Sequence, residues 1–221
     1  MSVFGSNPSL VEGALTPVST QSHWDDVYGR KAVDAVSWFR PHLETSLGFL
    51  KGAKLGPDAS IIDVGGGAST FVDDALELGF SNITVLDLAE GSLKAAGARL
   101  GPRGDRVNWM VADITRVALP ARSFDFWHDR AVFHFLTDPA DRARYVAQAR
   151  AALKPGGFIV VATFAPDGPE KCSGLEVARF TAEGIHDEFG ATFEKVGEAR
   201  EVHETPWGSE QAFSYCYCRV S

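Results

Sequence analysis

Four aspartates close short apolar runs in this chain. Asp63 interrupts Ile61-Ile62-Asp63-Val64, Asp87 ends the run from Ile83, Asp113 follows Met110-Val111-Ala112, and Asp129 follows Phe126-Trp127-His128. Directly after the first comes Gly65-Gly66-Gly67-Ala68-Ser69. A strand that runs into a glycine-rich turn and a helix start lets a ligand approach the backbone, because glycine has no Cβ and tolerates positive φ. A dinucleotide fingerprint would require a sixth-position glycine where Thr70 stands. Asp63 would place negative charge beside a dinucleotide pyrophosphate, but it suits a cofactor with a cationic amino group at one end. Asp87, about 20 residues beyond the first glycine, is spaced to accept hydrogen bonds from two ribose hydroxyls.

A second set of residues offers acceptor chemistry. His134 follows the fourth run and is the preferred acceptor-side base, although its place between Phe133 and Phe135 also fits a packed core histidine. Cys172 lies in a long loop where a substrate contact or a small buried apolar residue are both open readings. Arg179 would recognise an acceptor carboxylate or solvate a helix start, and His203 is a further candidate contact. Trp24, Tyr28 and Trp38 supply aromatic faces that attract a cation, or simply pack on a core edge.

The elements that must position these groups follow from periodicity. Apolar runs SIIDV, NITVLDL, VNWMVAD, FDFWHD and GGFIVVATF alternate with amphipathic stretches near 69–78, 90–100 and 139–153. Strands alternating with helices imply a parallel sheet covered on both faces. After a loop at 165–177 and a helix near 181–189, two alternating segments flank TPWGS and read as a hairpin that adds an antiparallel strand. The expected fold is therefore α/β, a Rossmann-like three-layer sandwich of about seven strands, mostly parallel with an antiparallel last strand. Residues 1–21, rich in Ser, Gly, Pro and Thr, read as a flexible arm. Residues 22–221 read as one domain, with a helical lid at about 22–52.

Composition narrows the partners. A net charge of −8 disfavours binding to a phosphate backbone, which depends on Lys and Arg displacing counterions. No long apolar run suggests a membrane span, and no leader pattern opens the chain, so a cytoplasmic protein is expected. Three cysteines and six histidines show no zinc-type spacing, and no metal is expected.

Between Ser60 and Val220, the ordered segments DVGGGAS, VLDLA, ADIT, FDFWHDRAVFHFL and LKPGGFIVVATF resemble the class I S-adenosylmethionine-dependent methyltransferase superfamily. HWDDVY, VSWF and DGPEKCSGL are similar to segments of a group of small bacterial methyltransferases. The resemblance implies that Asp63 with Gly65, Gly66 and Gly67 holds the methionine end of the cofactor. It places Asp87 and Leu88 at the ribose, Asp113 with Ile114 at the adenine, and Asp129 beside the sulfonium and acceptor. Trp24, Tyr28 and Trp38 would fold over it. Ser69 stands where the family often has a further glycine, and the NPPY-type motif of planar-nitrogen acceptors is absent after the fourth strand. The implied reaction is in-line methyl transfer to an oxygen or sulfur of a small-molecule acceptor, leaving S-adenosylhomocysteine. A protein lysine methyltransferase and a noncatalytic binder of the cofactor are the alternatives, and a monomer or homodimer is expected.

Overall fold

The computed structural model describes residues 21–30 and 36–221. The expected arm falls outside these residues except for Gln21, which opens helix α1 (Gln21–Arg30). Helix α2 (Glu44–Gly52) follows, and then the alternating core begins. It runs β1 (Ser60–Val64), α3 (Phe71–Glu77), β2 (Asn82–Asp87), α4 (Glu90–Leu100), β3 (Val107–Val111), β4 (Phe124–Arg130), α5 (Pro139–Ala152) and β5 (Leu153–Phe164). A two-residue-per-strand hairpin, β6 (Lys171–Cys172) and β7 (Leu175–Glu176), interrupts the loop expected there. Helix α6 (Ala182–Phe189) leads into the long hairpin β8 (Phe193–Glu204) and β9 (Glu210–Val220).

The main sheet has seven strands in the order β3-β2-β1-β4-β5-β9-β8. The first five are parallel, and β9 inserts antiparallel between β5 and β8. The last strand in the chain is thus the antiparallel one, as expected, and β8 takes the sheet edge.

Every residue of β1 is buried, which a central parallel strand requires because helices cover both its faces. Side-chain alternation then divides the interior into two cores. Ile61, Phe71, Val85, Phe126 and Val160 fill one, and Ile62, Val64, Trp127, Tyr145 and Ile159 fill the other. Helix α5 starts where Asp138 accepts the Ala140 N–H at 2.8 Å with Pro139 in the first turn. Helix α6 starts where Thr181 accepts the Gly184 N–H at 3.0 Å. The strand order reverses between β1 and β4, so a crevice opens at the carboxyl ends of β1, β2 and β3.

Candidate functional site

The glycine loop leaves β1 under tight constraint. Gly65 and Gly67 have φ of +66° and +41°. A Cβ at Gly65 would stand 1.9 Å from Val132 Cγ2, and one at Gly66 would stand 2.5 Å from Asp63 Oδ2. A Cβ at Gly67 would meet Asp87 Oδ2 at 2.7 Å and Tyr28 Oη at 2.9 Å. These glycines therefore let the carboxylates come against the loop backbone. Arg99 of α4 clamps the far side by donating to the Ala68 and Ser69 carbonyls at 2.8 and 2.7 Å while pairing with Asp73 at 2.6 Å.

Two adjoining hollows share Trp38, Gly65 and Arg130. The smaller, about 470 Å³, is bordered by Asp63, Gly66, Ser69, Thr70, Arg40 and His128. Asp63 is 1% exposed; its Oδ1 is 2.7 Å from His128 Nδ1, and its buried Oδ2 has no hydrogen-bond partner. An open buried carboxylate oxygen is costly unless a donor arrives from outside. A guanidinium, that of Arg40, borders the same hollow, so the donor set fits a zwitterionic amino-acid group.

The larger cleft holds about 850 Å³ of empty space, part of it open to solvent. Its lining includes Asp87, Leu88, Asp113, Ile114 and Thr115 together with Trp24, Tyr28, Trp38, Val132, Phe135, Leu136 and Cys172. Asp87 Oδ1 accepts the Ala89 N–H at 2.8 Å. Burial, and after it the nearby charge of Asp63, push the Asp87 carboxyl up to about 7. Burial and then Asp87 likewise push the Tyr28 phenol well up, so it remains protonated. Asp113 Oδ1 is engaged by the Thr115 N–H at 2.8 Å and hydroxyl at 2.7 Å, leaving the carboxylate held at the rim. Trp24 meets Trp38 and Phe135 edge-on, with ring centroids 6.0 and 5.1 Å apart. Tyr28 meets Trp38 edge-on at 6.1 Å. These rings make an aromatic wall of the cleft.

Residues 62–161, the β1-to-β5 segment, match the methyltransferase domain family. This chain is an S-adenosylmethionine-dependent methyltransferase. The methyltransferase is 24% identical over 199 residues to the human protein named EEF1A lysine methyltransferase 2, covering 82% of this chain and 77% of that one. The Danio rerio protein of the same name is 26% identical over 162 residues, covering 67% and 70%. The fold is also similar to the Burkholderia thailandensis 1,6-didemethyltoxoflavin-N1-methyltransferase, solved with 1,6-didemethyltoxoflavin and S-adenosylhomocysteine. That match has a TM-score of 0.67 at 22% identity, over 92% of this chain and 85% of that one.

Not every residue singled out from the sequence reaches the cleft of this methyltransferase. Asp63, Gly65, Gly66, Asp87, Leu88, Asp113 and Ile114 border the two hollows, as do Trp24, Tyr28, Trp38 and Cys172; Gly67 presses against Asp87 and Tyr28. Asp129 does not. It is fully buried and accepts from the Val132 N–H at 2.8 Å, the Phe133 N–H at 3.1 Å and the Tyr145 hydroxyl at 2.6 Å. Its carboxylate thus fastens the turn after β4 instead of bordering the acceptor. His134 is also fully buried, packed on Phe135 and Phe164, and absent from the cleft wall. Burial, assisted by Arg130, depresses it to about 3, so it is too weak and too enclosed for the base role expected of it. Arg179 turns to the Pro166 and Gly168 carbonyls at 2.9 and 3.1 Å and staples that loop. His203 Nε2 is 2.6 Å from the Ser37 carbonyl and holds the N-terminal segment on β8.

Other residues were missed from sequence. Arg130 lies at the junction of the two hollows, donating to Tyr215 Oη at 3.0 Å, Glu201 Oε1 at 3.1 Å and the Trp38 carbonyl at 3.3 Å. Glu201 also pairs with Arg40 at 3.0 Å and accepts from Thr45 at 2.6 Å. HDR, the triplet His128-Asp129-Arg130, was visible; the partners that give its outer members their roles lie about 65 to 85 residues away.

Proposed function

We propose that this methyltransferase moves the methyl group to an oxygen or sulfur of a small-molecule acceptor that arrives already ionised, such as a thiolate or a carboxylate. One observation carries this reading: among the described residues lining the cleft there is no imidazole, and its two carboxylates, Asp87 and Asp113, are engaged by the Ala89 and Thr115 amides. His134 and Asp129 both lie behind that wall. A neutral alcohol would need a base, whereas a thiol with a pKa of ~8.5 or a carboxylic acid near ~4 supplies its own nucleophile at neutral pH.

Bound S-adenosylmethionine supplies a methyl carbon activated by the sulfonium. The protein supplies alignment, proximity and exclusion of water. Asp63 Oδ2 would accept from the α-ammonium and Arg40 would meet the α-carboxylate, while Asp87 would accept from the ribose hydroxyls. Asp113, beside Ile114, would bound the adenine. Trp24, Trp38 and Phe135 cover the reacting end, and their faces stabilise a cation in a dry site. Arg130, although paired, lends positive charge to the wall an anionic acceptor meets.

A second reading has its own support: the similar human and Danio rerio proteins are named as lysine methyltransferases, and an aromatic wall also suits an alkyl amine. Incubation with S-adenosylmethionine and separate panels of thiols, carboxylic acids and lysine-bearing proteins, with S-adenosylhomocysteine release followed by mass spectrometry, tests both. Turnover with thiols or carboxylates supports the first reading. Turnover confined to lysine replaces it with the second, and binding without turnover on any panel points to a noncatalytic protein.

A further inference from the structure

The sheet register places Asp63 beside His128, not beside Asp129. His128 is 1% exposed and stacks on Phe71 with ring centroids 4.0 Å apart, which fixes its ring plane. Its Nδ1 is 2.7 Å from Asp63 Oδ1, and its Nε2 is 2.8 Å from Ser46 Oγ, a fully buried hydroxyl on α2. A carboxylate only accepts, so Nδ1 carries a proton; in the neutral ring Nε2 then accepts from the Ser46 hydroxyl. The chain Ser46–His128–Asp63 ends at a residue that borders the smaller hollow and whose second oxygen is buried without a partner.

We propose that His128 is a positioning residue, which, held by Ser46 and Phe71, fixes the Asp63 carboxylate so that its open oxygen meets the ammonium of the cofactor's amino-acid end. This inference rests on the cofactor placement given above. It also explains how α2, outside the alternating core, is joined to the ligand. Ser46 sets the ring, the ring sets the carboxylate, and Gly66 leaves room for it. With the ring removed, neither oxygen of the buried Asp63 carboxylate has a partner, so the carboxylate turns from this orientation.

Two ligands separate this role from general support of the fold. S-adenosylhomocysteine carries the α-ammonium; 5′-methylthioadenosine has the same nucleoside without it. Calorimetric titration of His128→Leu should show S-adenosylhomocysteine affinity reduced about tenfold or more, as expected for losing a charge-assisted contact, with methylthioadenosine affinity within roughly twofold of wild type. His128→Asn, which keeps a donor toward Asp63, should recover most of the loss. Ser46→Ala should give a smaller loss, roughly two- to fivefold, again for the amino-acid ligand alone. Equal losses for both ligands, or no loss for either, would overturn the proposal. If His128→Leu fails to fold by circular dichroism, Ser46→Ala decides, and an unchanged ratio of the two affinities overturns it. Failure of folded wild-type protein to bind S-adenosylhomocysteine would instead remove the cofactor placement on which the proposal stands.

Discussion

Asp87 sits in a conflict between stability and binding. Its carboxyl is pushed up to about 7 by burial and by Asp63, so the folded chain holds a proton that the unfolded chain releases near pH ~4. The stability this contributes is full below the ordinary carboxylate value and is lost as pH rises through about 7. Asp87→Asn should therefore raise the melting temperature of the unliganded protein at pH 8, by about 2–6 °C for a chain of this size. The same change should weaken S-adenosylhomocysteine binding by roughly 1–3 kcal/mol. Wild-type affinity should fall as pH drops below about 7, because ribose hydroxyls need the ionised acceptor, and the asparagine variant should lose that slope. Calorimetry from pH 5.5 to 8.5, paired with thermal melts, checks both halves; a variant that binds equally well removes Asp87 from the ribose. Asp129 makes the opposite case. Its oxygens are taken by Tyr145 and the turn amides, so Asp129→Ala should cost ~2–4 kcal/mol in urea unfolding and leave affinity per folded molecule within about twofold.

At the level of elements, the shared crevice of the glycine loop, Asp63, Asp87 and the Asp113-Ile114 pair was legible because the crevice of an open α/β sheet is built from strand ends, and strand ends are local in sequence. The role of Asp129 was not legible. Its place at the end of the fourth apolar run matched the other aspartates, but pairing Asp63 with His128 sends Asp129 to the opposite face, and a one-residue offset moves a side chain from the crevice to the far core. Register is set by neighbouring strands, which no local pattern displays. The same is true of the network under the N-terminal segment, where Arg130, Arg40, Thr45, Tyr215 and Glu201 meet from four parts of the chain. Burial works to raise the Glu201 carboxyl, yet Arg130, Thr45 and Arg40 outweigh it and hold it below the ordinary range. Its contribution is thus present above the ordinary carboxylate value and lost as pH falls through the depressed one. Glu201→Ala leaves Arg130 buried without its counter-charge and should cost ~3–5 kcal/mol by urea unfolding. Glu201→Ala as stable as wild type would mean that the hairpin holds residues 36–46 by packing alone.

Across the whole molecule, the sheet supplies a rigid floor and the N-terminal segment a cover, with different tethers along its length. Residues 36–46 are tied down by Ser37 to His203, Trp38 to Arg130, Arg40 to Glu201 and Ser46 to His128. Helix α1 instead presents Trp24 and Tyr28, spaced i and i+4 on one face, to the cleft and its aromatic wall, with Asp25 and Asp26 outward. A ligand in the cleft therefore gives this helix a floor. Binding to the folded state alone stabilises it by ~2.7 kcal/mol at a ligand concentration 100 times the dissociation constant. For a chain of this size that raises the melting temperature by about 5–10 °C. Trp24→Ala removes a ring from the cover without touching either sheet core, so the unliganded melting temperature should move little. At the same S-adenosylhomocysteine concentration, a tenfold weaker affinity would remove about 1.4 kcal/mol, hence roughly 3–5 °C of the ligand-induced shift. Thermal unfolding of both proteins with and without S-adenosylhomocysteine measures this directly. An undiminished shift in Trp24→Ala would mean that α1 covers the acceptor and not the cofactor. A lowered unliganded melting temperature would mean that Trp24 serves the fold before it serves the ligand.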